Sequence, residues 1–412
     1  MTVITERMDA VRSVSVGVWF KVGSRDEDTA QQGISHFMEH MMFKGTARRD
    51  AFTISRDFES IGAEQNAFTS KEYTCYYSRF IDEQLPEIID ILGDMVTSSV
   101  FAQEAIDSER EVVIEEIARS EDTPDDYIFE LFAKATYPGH SLGRPIIGTR
   151  EVVSSFVTAD CLAYRDRHYH ADNCIVVATG NVDHDELVAL CARHLQPLPR
   201  GKRNTRSLVQ QQDRARFTIM KKETEQAHII YGMPGTPAGS DDRFASALLD
   251  ATLGGGMSSR LFQEVREKRG LAYAVYASTM PYIGTGQFVV YAGTRPANIE
   301  EVISLVHGEL AKVLSAGITR EELERVREYV IGHIVLSMES TSQRMLRLGQ
   351  GAIGEIDVLS LDEIISRYRT VDLADVQRVA ERVLSQEPTV AIISPRGEAE
   401  VEASLIPLLA KE

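Results

Sequence analysis

The hydrophobic and polar positions form strand and helix patterns that occur in a similar order twice along the chain. Each half opens with a strand, continues through helices and a pair of neighbouring strands, and then enters long helices before a last strand. The predicted strands are 13–23, 63–70, 73–80 and 174–182 in the first half, and 227–235, 272–280, 286–294 and 389–397 in the second. This repetition indicates a duplication.

A polar, basic stretch separates the two halves. Residues 197–215 read PLPRGKRNTRSLVQQQDRA, which is typical of a linker. We therefore predict an α+β fold of two homologous units, each a mostly antiparallel sheet with helices packed on one side. The expected domains are 1–200, a linker at 201–215, and 216–412.

The composition fits a large folded protein. A length of 412 residues favours two or three domains, and a hydrophobic share of 43% is enough for real cores. No apolar run approaches the roughly 18 residues of a membrane span, so no membrane association is expected. Because the first residues also lack a signal-peptide pattern, we expect a cytoplasmic location.

Charge and cysteine content exclude further classes. The net charge of −18 argues against a nucleic-acid partner, for which a basic face would be needed. The four cysteines show no C-x-x-C spacing, so we expect buried free thiols rather than a disulfide framework or a thiolate zinc site. They are Cys75, Cys161, Cys174 and Cys191.

The segment GISHFMEHMMFKGT, residues 33–46, places three titratable groups in apolar surroundings. On a helix, His36 and His40 lie one turn apart on the same face and could hold one divalent metal ion, with Glu39 at the edge of that face. The order H-x-x-E-H is the inverse of the H-E-x-x-H zinc helix. A core helix with two satisfied histidines is the simpler alternative, so a third ligand is needed to support a metal site.

A second helix, predicted within 101–122, offers that ligand. At about 100° per residue its apolar stripe contains Glu109 and Glu116, whereas Glu115 points away. A carboxylate on a packing face is costly unless a cation or strong donors meet it. The helical phase selects Glu109 and Glu116 but does not decide which one binds metal. The apolar members of the stripe are Ala105, Ile106, Val112, Val113 and Ile117.

Four separated motifs occur in the order in which the pitrilysin-type (inverzincin) zinc metallopeptidases have them, and the chain resembles this family. The family includes mitochondrial processing peptidase and insulin-degrading enzyme. The resemblance is to its bacterial two-domain members, which are similar to processing peptidases. The motifs are HFMEHMMFKGT (36–46), NAFTSKEYTCYY (66–77), EREVVIEE (109–116) and SSRLFQEVREKRGLAYAVY (258–276). The similarity extends through most of the chain. It implies a metalloendopeptidase with one Zn²⁺ per chain.

The resemblance also implies roles for the site residues. His36, His40 and Glu116 would hold the zinc ion, and Glu109 would support the site without binding the metal. Glu39 need not bind metal and would accept the proton of the zinc-bound water.

Two further pairs of residues are candidates for substrate contacts. In the resembling family an Arg and a Tyr seven residues apart stabilise the oxyanion and hold the substrate backbone, which here implies Arg266 and Tyr273. Asn66 and Ala67 are small enough to let an extended peptide pair along a sheet edge. An ordinary strand at 63–70 is an equally reasonable interpretation.

The expected function is hydrolysis of peptide bonds in oligopeptides or unfolded segments. Since family members enclose substrate with four α+β units and this chain has two, a homodimer is implied, with Arg266 and Tyr273 acting in trans. One alternative is a catalytically silent assembly subunit that resembles respiratory-complex core proteins. Another is a zinc-stabilised binding module, although structural zinc sites usually close all four positions with Cys.

Overall fold

The computed structural model describes residues 1–206, 209, 214–354 and 356–409. Part of the predicted linker, at 207, 208 and 210–213, lies outside the described residues. The chain forms two compact units. Unit 1 comprises Met1–Arg119, Arg144–Ser207 and Ser337–Val358, and unit 2 comprises Ser120–Gly143, Leu208–Leu336 and Leu359–Glu412.

Ten strands and fifteen α-helices make up the regular structure of the described residues. The strands are β1 Thr2–Arg7, β2 Ser13–Phe20, β3 Glu64–Thr69, β4 Thr74–Ile81, β5 Cys174–Gly180, β6 Phe217–Lys221, β7 Ala227–Pro234, β8 Ala272–Tyr282, β9 Thr285–Thr294 and β10 Thr389–Ser394. The helices are α1 Ile34–Met41, α2 Ala51–Ser60, α3 Leu85–Ser98, α4 Gln103–Glu121, α5 Pro124–Thr136, α6 Arg150–Val153, α7 Thr158–His168, α8 His184–His194, α9 Arg243–Gly254, α10 Ile299–Ala316, α11 Arg320–Ser337, α12 Thr341–Ile353, α13 Leu361–Thr370, α14 Leu373–Leu384 and α15 Glu398–Leu409.

Each unit contains one five-stranded sheet, and the two sheets have the same topology. The strand order is β1-β5-β2-β4-β3 in unit 1 and β6-β10-β7-β9-β8 in unit 2. In each sheet, the strand that comes last in the sequence (β5 or β10) pairs parallel with the strand that comes first (β1 or β6), and all other neighbouring strands are antiparallel. The predicted α+β class with two homologous, mostly antiparallel units is therefore confirmed. Strands β1 and β6 are not predicted by the hydrophobic pattern.

The main core of unit 1 lies between one face of its sheet and helices of the first half. Alternate residues of β2, among them Val14, Val16 and Val18, point into this core, in which the apolar side of α1 also lies. Phe37, Met38 and Met41 of α1 are buried there, which fixes the rotation of the helix about its axis. All four cysteines are buried and free, as predicted.

A helix from the other half of the sequence covers the opposite face of each sheet. In unit 1, α12 packs on Trp19, Ile175 and Val177, and in unit 2, α5 packs on strands β7 and β10. This second helical layer is absent from the predicted arrangement, which has helices on one side of each sheet. The compact units therefore do not coincide with the two halves of the sequence, 1–200 and 216–412. Those domain boundaries stay a prediction that rests on the repeated sequence pattern.

Among the described residues no single helix combines the length and apolar character that crossing a membrane would need. One pair, Pro296–Ala316 with Arg320–Ser337, passes that test only when taken together, and it bends by 111°.

A close helix-to-sheet contact in unit 1 depends on a glycine of α12. A Cβ atom built on Gly349 would lie 2.2 Å from two ring carbons of Trp19, far inside van der Waals contact. Trp19 is fully buried and has the largest of the fully buried side chains. Gly349 therefore allows α12 to approach the indole ring, and any side chain at this position must move the helix or the ring.

We expect Gly349→Ala to destabilise the protein by about 1–3 kcal/mol, because overpacking outweighs the gain in helix propensity. Gly332→Ala is the matched control. Gly332 also lies inside a helix, α11, and a Cβ atom there would meet no described atom within 4 Å beyond the backbone of its own helix. That control should gain roughly 0.5–1 kcal/mol. Urea unfolding followed by circular dichroism measures both, and a stabilised Gly349→Ala variant would contradict the packing argument.

Candidate metal centre

Two histidines lie side by side on α1. Residues four apart share one face of a helix, and the Nε2 atoms of His36 and His40 are 3.3 Å apart. Both side chains are largely buried, at 14% and 17% exposure. The spacing predicted from the sequence is therefore realised in the geometry.

Helix α4 brings Glu116 to the same point. Its Oε2 lies 3.4 Å from Nε2 of His40 and 3.7 Å from Nε2 of His36. Within the described part of the chain, these three residues form the one group of His, Cys, Asp or Glu side chains that could hold a metal ion.

The helical phase of α4 is mostly as predicted. Glu109 is buried and Glu115 exposed, and three members of the apolar stripe, Ile106, Val113 and Ile117, are buried. The placement of Val112 in the stripe is wrong, because its side chain is exposed and Ile114 is buried instead. The buried face is thus rotated slightly toward Ile114 without removing either carboxylate from the site.

The separations between the donor atoms fit zinc. Tetrahedral zinc binds imidazole nitrogen and carboxylate oxygen at about 2.0–2.2 Å, which places two ligands of one ion roughly 3.3–3.6 Å apart. The three measured separations, 3.3, 3.4 and 3.7 Å, lie close to that range. Two imidazoles and one carboxylate leave the fourth position open. The Glu116 side chain is 42% exposed, so solvent can reach the site.

Glu109 fixes the orientation of His40. Its Oε1 lies 2.8 Å from Nδ1 of His40, and its Oε2 lies 2.6 Å from Nζ of Lys44. Burial raises the pKa of Glu109, but the hydrogen bonds from His40 and Lys44 lower it by more. Because the ionised carboxylate can only accept, Nδ1 of His40 donates and Nε2 is left to bind metal.

The two histidines have different protonation preferences. Burial is the main reason that the pKa of His36 falls to about 3, and repulsion from His40 adds to it. His36 is thus neutral at neutral pH, the form in which imidazole binds a metal. Burial also lowers the pKa of His40, but the hydrogen bond to Glu109 and the charge of Glu116 raise it by more.

Glu39 lies beside the ligand group without being part of it. Its Oε2 accepts a hydrogen bond of 2.6 Å from the Thr69 hydroxyl, which also lies 3.4 Å from the Ser35 carbonyl oxygen. Burial raises the pKa of Glu39 and outweighs the lowering by Thr69 and His40. The sequence predicts neither Thr69 nor Lys44 here, because each reaches the site through a tertiary contact that no sequence spacing reveals.

Arg266 and Tyr273 lie together in unit 2, each at an irregularity of the backbone. Arg266 is in a π-helical turn, Phe262–Glu267, and Tyr273 lies at a β-bulge where the pairing of β8 with β9 shifts between Ala272 and Ala274. Both irregularities re-aim side chains and are frequent at functional sites. The Arg266 guanidinium is 5.2 Å from the centroid of the Tyr273 ring, and Tyr273 is 77% exposed. Their role in catalysis stays a prediction.

Asn66 and Ala67 lie on β3, which is an edge strand. Within the described residues β3 pairs with β4 on one side and with no strand on the other, which makes it an edge of the sheet. The side-chain oxygen of Asn66 accepts from the Ala67 amide at 2.8 Å. Since Thr69 ends the same strand, β3 leads from the open edge directly to Glu39.

Comparisons with known proteins agree on one family. The family described as Insulinase (Peptidase family M16) matches residues 2–150, and the family described as Peptidase M16 inactive domain matches residues 155–330. An uncharacterized zinc protease of Streptomyces coelicolor is 41% identical over 408 residues, which cover 96% of this chain and 88% of that protein. The uncharacterized zinc protease YmxG of Bacillus subtilis is 38% identical, with 96% of each chain covered.

Solved structures show the same fold at lower identity. A protease from Helicobacter pylori superposes with a TM-score of 0.87 at 22% identity, covering 95% of this chain and 97% of that chain. A peptidase M16 inactive domain from Pseudomonas fluorescens also gives a TM-score of 0.87, at 20% identity, covering 96% and 95%.

Separate substitution of Glu109 and Glu116 of α4 by glutamine should distinguish their roles. We expect Glu116→Gln to abolish tight zinc binding, and Glu109→Gln to weaken it by roughly 10–100-fold, as changes beside a ligand do. Glu115→Gln is the matched control, because its side chain is exposed and should leave zinc affinity unchanged. Competition of the apoprotein with a chelator measures all three. Zinc loss in Glu109→Gln with retention in Glu116→Gln would reverse the assignment.

Proposed function

The chain belongs to peptidase family M16, and we propose that it is a zinc-dependent endopeptidase that cleaves oligopeptides or unfolded segments of precursor proteins. The zinc-protease relatives support a zinc metallopeptidase. The observation that supports the proposed endopeptidase mechanism is that His36, His40 and Glu116 converge beside Glu39, which is not part of that ligand group. The proposal includes one ion per chain, because the described residues contain one such ligand group.

A catalytic zinc ion polarises a carbonyl group and lowers the pKa of a bound water toward 7. His36, His40 and Glu116 are the residues that would hold it. Glu109, through its contact with Nδ1 of His40, would keep Nε2 available to the ion, and the contact with Lys44 favours the ionised form of Glu109.

Glu39 is the proposed proton carrier. It takes a proton from the attacking water and later delivers it to the amine of the leaving peptide. The Thr69 hydroxyl occupies one of its carboxylate oxygens, Oε2, and leaves Oε1 for that exchange. Partial burial favours the neutral form of Glu39, so the same group can accept a proton and release it again.

Substrate in this proposal binds as an added strand along β3. Asn66 and Ala67 lie at the open edge, and main-chain pairing there requires an extended peptide. Folded proteins cannot offer one without local unfolding, which favours oligopeptides and unstructured segments. Arg266 would hold the substrate backbone, and Tyr273 would donate to the oxyanion of the tetrahedral intermediate.

A catalytically silent assembly subunit is the alternative function. It would have no need for a water-accessible set of two imidazoles and one carboxylate beside a glutamate that is outside the ligand group, and all of these groups are present. A zinc-stabilised binding module fits less well, since the donor set leaves one position open. A cytoplasmic location stays a prediction from the sequence.

Glu39→Gln tests the function and the role of the base together. We expect the variant to bind zinc at wild-type stoichiometry and to cleave a quenched peptide at least 10²–10⁴-fold more slowly, because the proton acceptor is gone. Wild-type cleavage should stop with a chelator and return with zinc, and Glu115→Gln should remain active.

Two results would count against the proposal. Zinc loss in Glu39→Gln would place Glu39 among the ligands. A wild-type chain that binds zinc but cleaves no member of an unstructured peptide library would favour the silent subunit.

We further propose that the active form is a homodimer in which Arg266 and Tyr273 of one protomer serve the zinc site of the other. Four α+β units enclose the substrate in the four-unit members that the sequence resembles, and this chain supplies two. The chain carries both the metal ligands and the Arg–Tyr pair, so two identical copies are sufficient.

Complementation tests this arrangement. Glu39→Gln and Tyr273→Phe homodimers should each be nearly inactive, and a mixture that exchanges subunits should recover about a quarter of the wild-type rate, since half of the dimers contain one complete site. Glu39→Gln mixed with His40→Ala is the control and should stay inactive, because both defects affect the zinc site. Confirmed mixed dimers without activity would show that the pair does not act in trans.

A further inference from the structure

The metal-binding helix begins without a cap of its own. The residue before α1, Gly33, has a left-handed conformation with φ of 92° and no side chain to accept hydrogen bonds from the first turn. The free amides at a helix N-terminus require acceptors, most of all where they are buried. In this helix the acceptor comes from a residue six positions earlier in the chain.

That acceptor is Glu27. Its Oε2 accepts from the Gly33 amide at 2.8 Å and its Oε1 from the Ser35 amide at 2.8 Å. Glu27 is 6% exposed. Burial of a carboxyl group is costly unless it is hydrogen-bonded, so this position demands the two hydrogen bonds that it makes.

We propose that Glu27 is a positioning residue for the metal centre. Glu27 holds the first turn of α1 in place, and this turn would direct His36 at the ion. This inference rests on the proposed zinc site. Glu27 acts through the backbone of α1, since its carboxylate bonds the Gly33 and Ser35 amides rather than a ligand or the proposed base.

The short length of α1 makes the cap important. The helix has eight residues, about two turns, and His36 follows Ser35 directly. Short helices are marginal without tertiary support, and a first turn that loses its acceptors unwinds most easily. His40 lies in the second turn and has its own support from Glu109. His36 has no comparable support at its ring, because Nδ1 has no hydrogen-bond partner within the described residues.

The loop that carries Glu27 is itself fixed to the turn between β3 and β4. The amides of Ser24 and Arg25 donate to the carbonyl oxygens of Ser70 and Lys71, at 3.2 and 2.7 Å. The buried side chains of Arg25 and Glu72 form an ion pair of 2.6 Å. The cap is therefore attached to the turn between β3 and β4.

The same turn follows directly after Thr69, which holds Glu39. One anchored segment thus sets both the ligand helix, through Glu27, and the base, through Thr69. The position of His36 relative to Glu39 then depends on hydrogen bonds from one segment of the chain. Active sites require precise placement of this kind.

Glu27→Gln is the decisive variant. The amide keeps the size of the side chain, but its Nε2 cannot accept, so one of the two backbone amides loses its partner. We expect the zinc affinity of the apoprotein, measured by competition with a chelator, to fall about 10–100-fold. The visible spectrum of the Co²⁺-loaded protein should change, and the amide of Gly33 or of Ser35, whichever loses its acceptor, should exchange faster.

Asp250→Asn is the matched control. Asp250 is a partly buried carboxylate of unit 2 that accepts from the amide and hydroxyl of Thr279, so its loss should reduce stability without changing zinc affinity or the Co²⁺ spectrum. Glu27→Asp covers the case in which Glu27→Gln does not fold. It keeps the charge but is one methylene too short to reach both amides, and should lower zinc affinity by a smaller factor.

The outcomes separate this inference from the proposed function. Wild-type zinc affinity and an unchanged Co²⁺ spectrum in a folded Glu27 variant would overturn the positioning role while leaving the zinc peptidase intact. An equal loss of zinc affinity in Asp250→Asn would also overturn it, since general destabilisation would then explain the effect. Absence of tight zinc binding in the wild-type chain would instead contradict the proposed function.

Discussion

The metal centre depends on one geometric constraint: three donor atoms from two helices must converge to separations of about 3.3–3.7 Å. A spacing of four residues on α1 supplies two of them at once, but the third requires that α4 lie at a fixed distance from α1. The shared core beneath both helices sets that distance, since Phe37 and Met38 of α1 and Val113 of α4 are buried in one cluster. The chemistry of the site is thus a consequence of packing in unit 1.

The duplicated units use the same sheet for different tasks. Strands β3 and β8 occupy equivalent edges, and residues on both are proposed to contact substrate: Asn66 and Ala67 on β3, and Tyr273 on β8. In unit 1 the edge is regular and leads to Thr69 and the metal helix. In unit 2 it is broken by a bulge at Tyr273 and preceded by a π-helical turn at Arg266. A regular edge suits pairing with a peptide, whereas irregular backbone suits the presentation of individual side chains.

Helical periodicity alone predicts a large part of the site. The His36–His40 spacing and the inward phase of Glu109 and Glu116 depend only on local geometry, and the structure places all four as expected. The cap that Glu27 provides depends on the conformation of the loop before α1, which helical periodicity does not describe. Thr69 and the contact of Lys44 with Glu109 are not predictable in this way, because tertiary structure brings the partners together. The same reason accounts for β1 and β6, which are short edge strands, and for the exchanged helices α5 and α12, whose packing partners lie in the other half of the sequence.

The charges of the site explain why a divalent cation would compensate its carboxylates better than protonation of the histidines does. Fully ionised, Glu39, Glu109 and Glu116 carry three negative charges, and Lys44 compensates one of them through its contact with Glu109. Two negative charges then remain beside two imidazoles, of which His36 resists protonation because it is buried. Burial is the main cause that raises the pKa of Glu39. Burial lowers the pKa of His40, but the hydrogen bond to Glu109 and the charge of Glu116 raise it by more, and both net shifts favour protonation, which limits this excess. In the proposed site a Zn²⁺ ion would balance the two charges directly, so that His40 could bind as a neutral ligand and Glu39 would be available as the proposed base.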